Sequence, residues 1–360
     1  TSSSDQQTYL YMTNSSILLS DGGDYQGHIT AIDLASGTQV VFNAVCSNLG
    51  NVHIGTNQCM KQYFDDDGTQ TPDGDAGIWG RPAATYDPVN DSIYISTGNG
   101  AYDPKNLQKY GNTWGDSVLK LPAAMSMALT APLDSYTPPE YLRLMENDND
   151  LGSTSVAIIP TSMTQDFSYK HIGIQSGKDS NLRILDLDDL SVANGPLSPD
   201  DSALFVQGVN QGNEVKTQPL IWQNPSTGAI LVIVTNDFGI SATQVIMDGS
   251  NNPQLSKSTA ASWVITGMDL SHGTSAGGGS PIIANGVLYY VGANGLTAID
   301  PATGTILANK TEMGISTSSP GNIHKQSPIV VNGRVLFTDE KMNLWVYEGD
   351  DIFNDGFEPR

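Results

Sequence analysis

An all-β fold, a β-propeller of four-stranded antiparallel blades, is the architecture that three features of this sequence predict: an internal repeat, a recurrent acidic turn and an abundance of turn residues. The repeat is the strongest of the three. Ser280-Pro281-Ile282-Ile283-Ala284-Asn285-Gly286-Val287-Leu288-Tyr289-Tyr290 returns 47 residues later as Ser327-Pro328-Ile329-Val330-Val331-Asn332-Gly333-Arg334-Val335-Leu336-Phe337. Each copy reads as a short apolar strand, an Asn-Gly turn and a second strand, since Asn and Gly tolerate the left-handed backbone of a two-residue hairpin turn. Looser copies of the scheme occupy residues 81–95, 153–174 and 218–234, with turns at Asn90-Asp91 in the first and Ser226-Thr227-Gly228 in the last.

The acidic turn follows the hairpin. Ala31-Ile32-Asp33-Leu34-Ala35-Ser36-Gly37 and Ala298-Ile299-Asp300-Pro301-Ala302-Thr303-Gly304 share one form, and Leu185-Asp186-Leu187 is a degenerate third copy. A third strand would end at the Asp, whose carboxylate can accept backbone N–H groups, and Gly would supply the positive φ that admits a fourth strand. Strand, hairpin, strand, acidic turn and outer strand make one propeller blade of roughly 40–50 residues. The 37 glycines and 19 prolines agree with many short strands.

Six units are visible, starting near Tyr9, Gly80, Gly152, Gln218, Ser280 and Ser327. They predict one propeller over residues 1–349 and a tail over 350–360. The chain opens on what reads as a second strand, Thr8 to Thr13, and no outer strand follows Val346-Tyr347. Either the two incomplete ends complete one another, or an N-terminal part is missing and the blades number seven or eight. Residues 46–78 and 101–150 form long connections, which in a rigid scaffold are usually functional. Helical periodicity is confined to residues 139–146.

Composition narrows the function classes. With 16 Lys and Arg against 38 Asp and Glu, the formal charge of −22 opposes nucleic acid and anionic membrane surfaces as partners. Hydrophobic residues make up 38% and charged residues 15%, enough apolar content for a core. Apolar runs stop far short of a membrane span; Ala229 to Val234 is one of six residues. The chain opens at Thr1 with no initiator Met, basic n-region or apolar h-region, and reads as mature or trimmed. Cys46 and Cys59 are the two cysteines, and the low-Lys, acidic composition favours an exported disulfide over two buried thiols. That bridge would stabilise by about 3 kcal/mol. The five histidines are scattered, with no H-E-x-x-H pattern, so a zinc site is not expected. No C-x-x-C-H haem motif or P-loop is present. Trp222, Tyr289, Tyr290 and Trp345 fall at strand periods and are expected in the core.

The segment Trp79-Gly80-Arg81-Pro82, Tyr86-Asp87-Pro88 and Ile93-Tyr94-Ile95-Ser96-Thr97-Gly98-Asn99-Gly100 resembles the quinoprotein alcohol dehydrogenases. These are propellers that hold pyrroloquinoline quinone (PQQ) on a central Ca²⁺. Asp24 to Asp33 precedes that segment in the right order; Tyr136-Thr137-Pro138, Asp148-Asn149-Asp150-Leu151-Gly152 and Gly177-Lys178-Asp179 follow it. The resemblance runs from about residue 8 to 347.

It implies that Trp79 stacks on the quinone, and that Asn99 gives its amide oxygen to Ca²⁺. Asp24 stands near the family's glutamate ligand, at a register shared with Asp21. Asp148 or Asp150 is the aspartate that touches the metal and takes the substrate hydroxyl proton, and Lys178 bonds the quinone oxygens. Structural readings stand beside these: a blade-packing Trp79, a turn Asn99, a solvated acidic loop and a hairpin-tip Lys178. The sequence also departs from the family. Nine residues separate Pro138 from Asp148, no Trp precedes that Asp, and the blade-docking Trp positions hold Val41 and Ala308.

The expected function is therefore an exported, periplasmic or secreted bacterial protein that oxidises a small-molecule alcohol with PQQ and Ca²⁺. Without a haem motif, it would pass electrons to a separate acceptor. The alternative is an inactive propeller that scaffolds a protein partner, recruiting a strand at the open edge of Thr8 to Thr13. A carbohydrate-binding propeller is a weaker third reading, because no cluster of surface aromatics is apparent.

Overall fold

The computed structural model describes residues 1–15, 26–49, 62–64, 70–72, 76–105, 112–125, 129–192, 202–266, 279–292, 295–309, 327–338 and 342–348. Its contacts divide the chain into two compact units. The first comprises Thr1–Ile158, His171–Asp179 and Arg183–Leu204; the second comprises Ile159–Lys170, Ser180–Leu182 and Phe205–Arg360. The expected tail, 350–360, lies outside the described residues, as does Cys59. Cys46 is disulfide-bonded.

In the first unit, Tyr9–Asn14, His28–Asp33 and Gln39–Asn43 form a three-stranded antiparallel sheet. Its buried face carries Ile29, Ala31 and Phe42, which pack with Ile93, Ile95, Trp114 and Leu119. A four-stranded sheet follows, ordered Asp134–Tyr136, Val118–Pro122, Ser92–Ser96, Thr85–Asp87. All five residues of Ser92–Ser96 are buried, because this strand is covered on both faces. A third sheet begins with Ala157–Ile158 against Ile172–Ser176. The expected helical segment is a short helix, Tyr141–Glu146, with Leu144 buried. The long connections carry short ladders of their own, Gln62–Phe64 with Gln70–Pro72 and Tyr102–Asp103 with Thr113–Trp114.

In the second unit, Leu220–Gln223, Ile230–Asn236, Gly239–Met247 and Pro253–Ser256 run in order, and Trp263–Thr266 adds a fifth strand. The extra strand departs from the four-stranded expectation for a geometric reason. Gly239–Met247 is nine residues long, so Gly239 to Ala242 pair with Trp263–Thr266 while Gln244 to Met247 pair with Pro253–Ser256. Ile282–Ala284, Val287–Gly292, Gly295–Ile299 and Ile306–Asn309 form the next sheet, and Ile329–Val331, Arg334–Thr338 and Leu344–Glu348 the last.

The repeated hairpins close as their residues dictate. Asn285 and Gly286 have φ of 51° and 76°, and Asn332 and Gly333 have 50° and 73°, the double left-handed turn that matches strand twist. The acidic turns also form. Asp33 Oδ1 accepts the Ala35 N–H at 3.0 Å and Asp300 Oδ1 accepts the Ala302 N–H at 2.8 Å. In each case a Gly at positive φ, Gly37 or Gly304, ends the turn. Tyr290 is fully buried, and Trp222, Tyr289 and Trp345 pack into the cores of the second unit.

Candidate functional site

Four connections of the first unit converge on one cluster. Thr97-Gly98-Asn99 leaves the buried strand Ser92–Ser96 and is fixed from several sides. The Thr97 N–H donates to Ser117 O at 2.9 Å, the Gly98 N–H to Gly77 O at 2.9 Å, and Asn99 O accepts the Ala76 N–H at 2.7 Å. Gly98 is required by close approach: a Cβ there would lie 2.2 Å from Asp150 Oδ1 and 3.0 Å from Trp79 Nε1. The loop after Tyr141–Glu146 supplies Asp148, at a φ of 53°, and Asp150. Lys178 follows Ile172–Ser176, and its N–H donates to Asp150 O at 3.1 Å.

Lys178 is the hub. Its Nζ lies 2.5 Å from Asp148 Oδ1 and 2.5 Å from Asp150 Oδ2, and 5.4 Å from the centroid of the Trp79 ring. Asp150 Oδ1 accepts the Asn99 backbone N–H at 2.6 Å, and Asn99 Nδ2 donates to Asp148 Oδ1 at 3.1 Å. Trp79, Asn99, Asp148, Asp150 and Lys178 are thus brought together from widely separated stretches of the chain. Asp24 lies outside the described residues.

The electrostatics of the cluster follow from burial. Asp150 is 6% exposed, and desolvation holds its carboxyl above the usual carboxylate range, with Lys178 and the Asn99 N–H pulling the other way. Burial also pulls the Lys178 ammonium down, but the two carboxylates outweigh it and keep the group charged. Asp148 is more than half exposed, so its bond to Lys178 is partly screened.

Asp116 was not legible as a site residue. It is fully buried, its Oδ1 accepts the Leu151 N–H at 3.0 Å, and its Oδ2 has no partner among the described residues. Burial, and then the charge of Asp150, push its carboxyl well above the carboxylate range. The one sequence signal is a Gly-Asp turn entering the strand Val118–Pro122. Arg183 was missed as well. Fully buried, it pairs with Asp179 and, at 3.3 Å, with Glu140. A charged residue between Leu182 and Ile184 in mid-strand signals such a buried pair.

Asn99 Oδ1 is buried without a hydrogen-bond partner among the described residues. An orphaned amide oxygen beside two carboxylates is a set of hard oxygen donors, which fits Ca²⁺. No three His, Cys, Asp or Glu side chains gather as a metal cage among the described residues. A cation here would rest on the amide oxygen and share the two carboxylates with, or take them from, the Lys178 ammonium. The indole face of Trp79, with an ammonium above it, fits a flat anionic or carbonyl-bearing ring.

No protein-family model matches the sequence, and no curated protein is similar to it in sequence. Among solved structures, the quinohemoprotein alcohol dehydrogenase from Comamonas testosteroni is similar, with a TM-score of 0.50 at 15% identity over 91% of this chain. The chain spans 54% of that protein's length. A europium-containing methanol dehydrogenase aligns with a TM-score of 0.49 at 16% identity, over 94% of this chain and 63% of its own. BamB from Moraxella catarrhalis aligns with a TM-score of 0.44 at 11% identity, over 98% of this chain and 72% of its own. The Comamonas likeness shows the fold, that of an all-β chain of propeller blades, and the weaker two add nothing to it.

Proposed function

We propose that this chain is an exported quinoprotein-type dehydrogenase that oxidises a small alcohol with PQQ and Ca²⁺. The observation that carries the reading is the meeting of Lys178, Asp148, Asp150, Trp79 and the orphaned Asn99 Oδ1 in one cluster. The disulfide at Cys46 supports an oxidising compartment, periplasmic or extracellular.

Asn99 Oδ1, Asp148 and Asp150 would hold the metal, and Trp79 would give the quinone its flat support. When bound, the quinone supplies the hydride acceptor and the metal polarises its carbonyl. Lys178 holds positive charge where the ring gains electron density. Asp150 would be the base that takes the alcohol proton, because the Asn99 N–H and the Lys178 ammonium fix its orientation in the cluster. Asp148 orients the Lys178 ammonium. Electrons leave to a separate acceptor. The test is to add PQQ and Ca²⁺ to purified protein, and follow indole fluorescence and reduction of a dye with a panel of primary alcohols. Saturable quenching with alcohol-dependent dye bleaching is expected; neither signal would remove the reading.

A second reading, a scaffold for a protein partner, is favoured by two observations. Lys178 already satisfies both carboxylates. Tyr9–Asn14 pairs only with His28–Asp33 in its sheet among the described residues, leaving Leu10 48% and Met12 51% exposed. A protein that binds neither metal nor quinone but captures a β-strand peptide at this edge would be such a scaffold.

A further inference from the structure

The first unit contains a cavity of about 590 Å³ that shares no residue with the cluster around Lys178. It lies against the second sheet and the acidic turn after Asp186. Its lining is mixed in sign, with Lys120, Asp134, Asp188 and Asp189, and includes the apolar side chains of Leu133 and Val192. It is open to solvent along much of its extent.

Lys120 is the unusual group. It is 9% exposed, yet its Nζ makes a single hydrogen bond among the described residues, to Leu187 O at 2.8 Å, and lies 6.0 Å from the Tyr94 ring centroid. No carboxylate of the described residues pairs with it, so two of its three N–H donors are available to an occupant. The acceptors Asp188 and Asp189 are exposed and open to a ligand. Asp188 Oδ1 takes Asn90 Nδ2 at 3.0 Å and His171 Nδ1 at 2.8 Å, while its Oδ2 and both oxygens of Asp189 accept nothing from the described residues. Asp134 is fixed by the Ser135 and Leu190 N–H groups at 2.9 and 2.8 Å, so its position is set before a ligand arrives.

Chemistry disfavours a simple ion or an apolar molecule. An anion would face three carboxylates, a cation would face a buried ammonium, and an apolar molecule would strip water from both. A hydroxyl group donates to carboxylate and accepts from ammonium at once. Leu133 and Val192, 56% and 47% exposed, offer apolar surface to the C–H face of such a molecule. We propose that this cavity binds a neutral polyhydroxy ligand, a sugar or a sugar alcohol, through Lys120, Asp188 and Asp189.

The test is calorimetric titration of the full chain with maltotriose and, separately, sorbitol, with no PQQ or Ca²⁺ added. Its outcome is therefore independent of the quinone reading. Saturable binding of either probe with a Kd of about 0.1–10 mM is expected, and the stronger of the two identifies the source. Leu133→Trp, which fills the rim, should abolish binding, and Asp189→Ala should raise Kd about tenfold through the lost charged hydrogen bond. Both positions are exposed, so the variants keep the parent melting temperature. Absence of saturable binding by both probes overturns the proposal, as does binding unchanged in both variants. Saturable binding of spermidine in preference to both polyols, weakened by the same substitutions, would assign the cavity to cations and overturn it too.

Discussion

Replacing Lys178 by Met tests whether the cluster is held by a buried charge or only by packing. Met keeps the length and apolar stem and removes the ammonium. The Lys178 side chain is 11% exposed and that of Asp150 is 8%, so this arm is a buried pair, and breaking one costs about 3–5 kcal/mol. The Asp148 arm, on a side chain 57% exposed, adds less than about 1 kcal/mol. Asp150 has one escape: it can take a proton. Forcing a carboxyl of ordinary pKa to be neutral at pH 7 costs roughly 4 kcal/mol, so protonation caps the loss near that figure and the cap falls as the pH falls. Lys178→Met should therefore lose about 3–4 kcal/mol in urea unfolding near pH 8 and much less near pH 5. Asp150→Asn in the Lys178→Met background should recover most of the loss at pH 8, because the stranded charge is gone. A Lys178→Met protein within about 0.5 kcal/mol of wild type at pH 8, or a double-mutant cycle with no coupling, would refute this account of the cluster.

Other substitutions probe neighbouring features. Gly98→Ala places a methyl 2.2 Å from Asp150 Oδ1, pushing the carboxylate off the Asn99 N–H, and should cost about 2 kcal/mol in a thermal melt. Asp116→Asn keeps an acceptor for the Leu151 N–H and removes an acid whose carboxyl is raised well above 3.8 by burial. An acid with a raised folded value destabilises above its unfolded value, so the variant should gain about 1 kcal/mol of unfolding free energy in urea near pH 7. His171 lies 3.2 Å from Asp87 and 2.8 Å from Asp188. Burial lowers its pKa, but these two carboxylates outweigh that and hold it above 6.5. Its contribution is complete below about pH 6.5 and is lost as pH rises through the higher folded value, so the wild-type urea midpoint should fall on the alkaline side. His171→Gln should flatten that slope.

The repeat architecture was legible because its signals are local. Asn285-Gly286 and Asn332-Gly333 adopt the φ values that only such residues take at low cost, and Asp33 and Asp300 bond the N–H groups two residues on. Strand number was less legible. Trp263–Thr266 has no partner of its own; it pairs because Gly239–Met247 is long enough to serve two neighbours, a fact of length in one strand and placement in another. Two- and three-residue ladders such as Tyr102–Asp103 with Thr113–Trp114 are too short to show any period.

The site divides along the same physical line. Trp79, Asn99, Asp148, Asp150 and Lys178 could be named because the ordered motifs around them resemble those of the quinoprotein alcohol dehydrogenases. Their mutual distances could not, since they depend on glycines packing backbone against backbone. Gly152, for instance, would place a Cβ 2.3 Å from the Gly98 nitrogen. Asp116 was hidden because an aspartate in a Gly-Asp turn reads as exposed, and only the strands closing over it turn it into a buried acid. The separate cavity was hidden for a related reason: a lysine in Val118–Pro122 alternates with leucines and reads as the solvent face of a strand. Here that face is covered by the turn after Asp186, which takes one Lys120 N–H at Leu187 O beside the cavity. Buried charge in this fold is therefore made by chain segments meeting, and the instances at Lys178 and Lys120 differ in one respect. The first forms close ion pairs with carboxylates, and the second bonds a backbone carbonyl and acts on Asp188 only from beyond ion-pair distance.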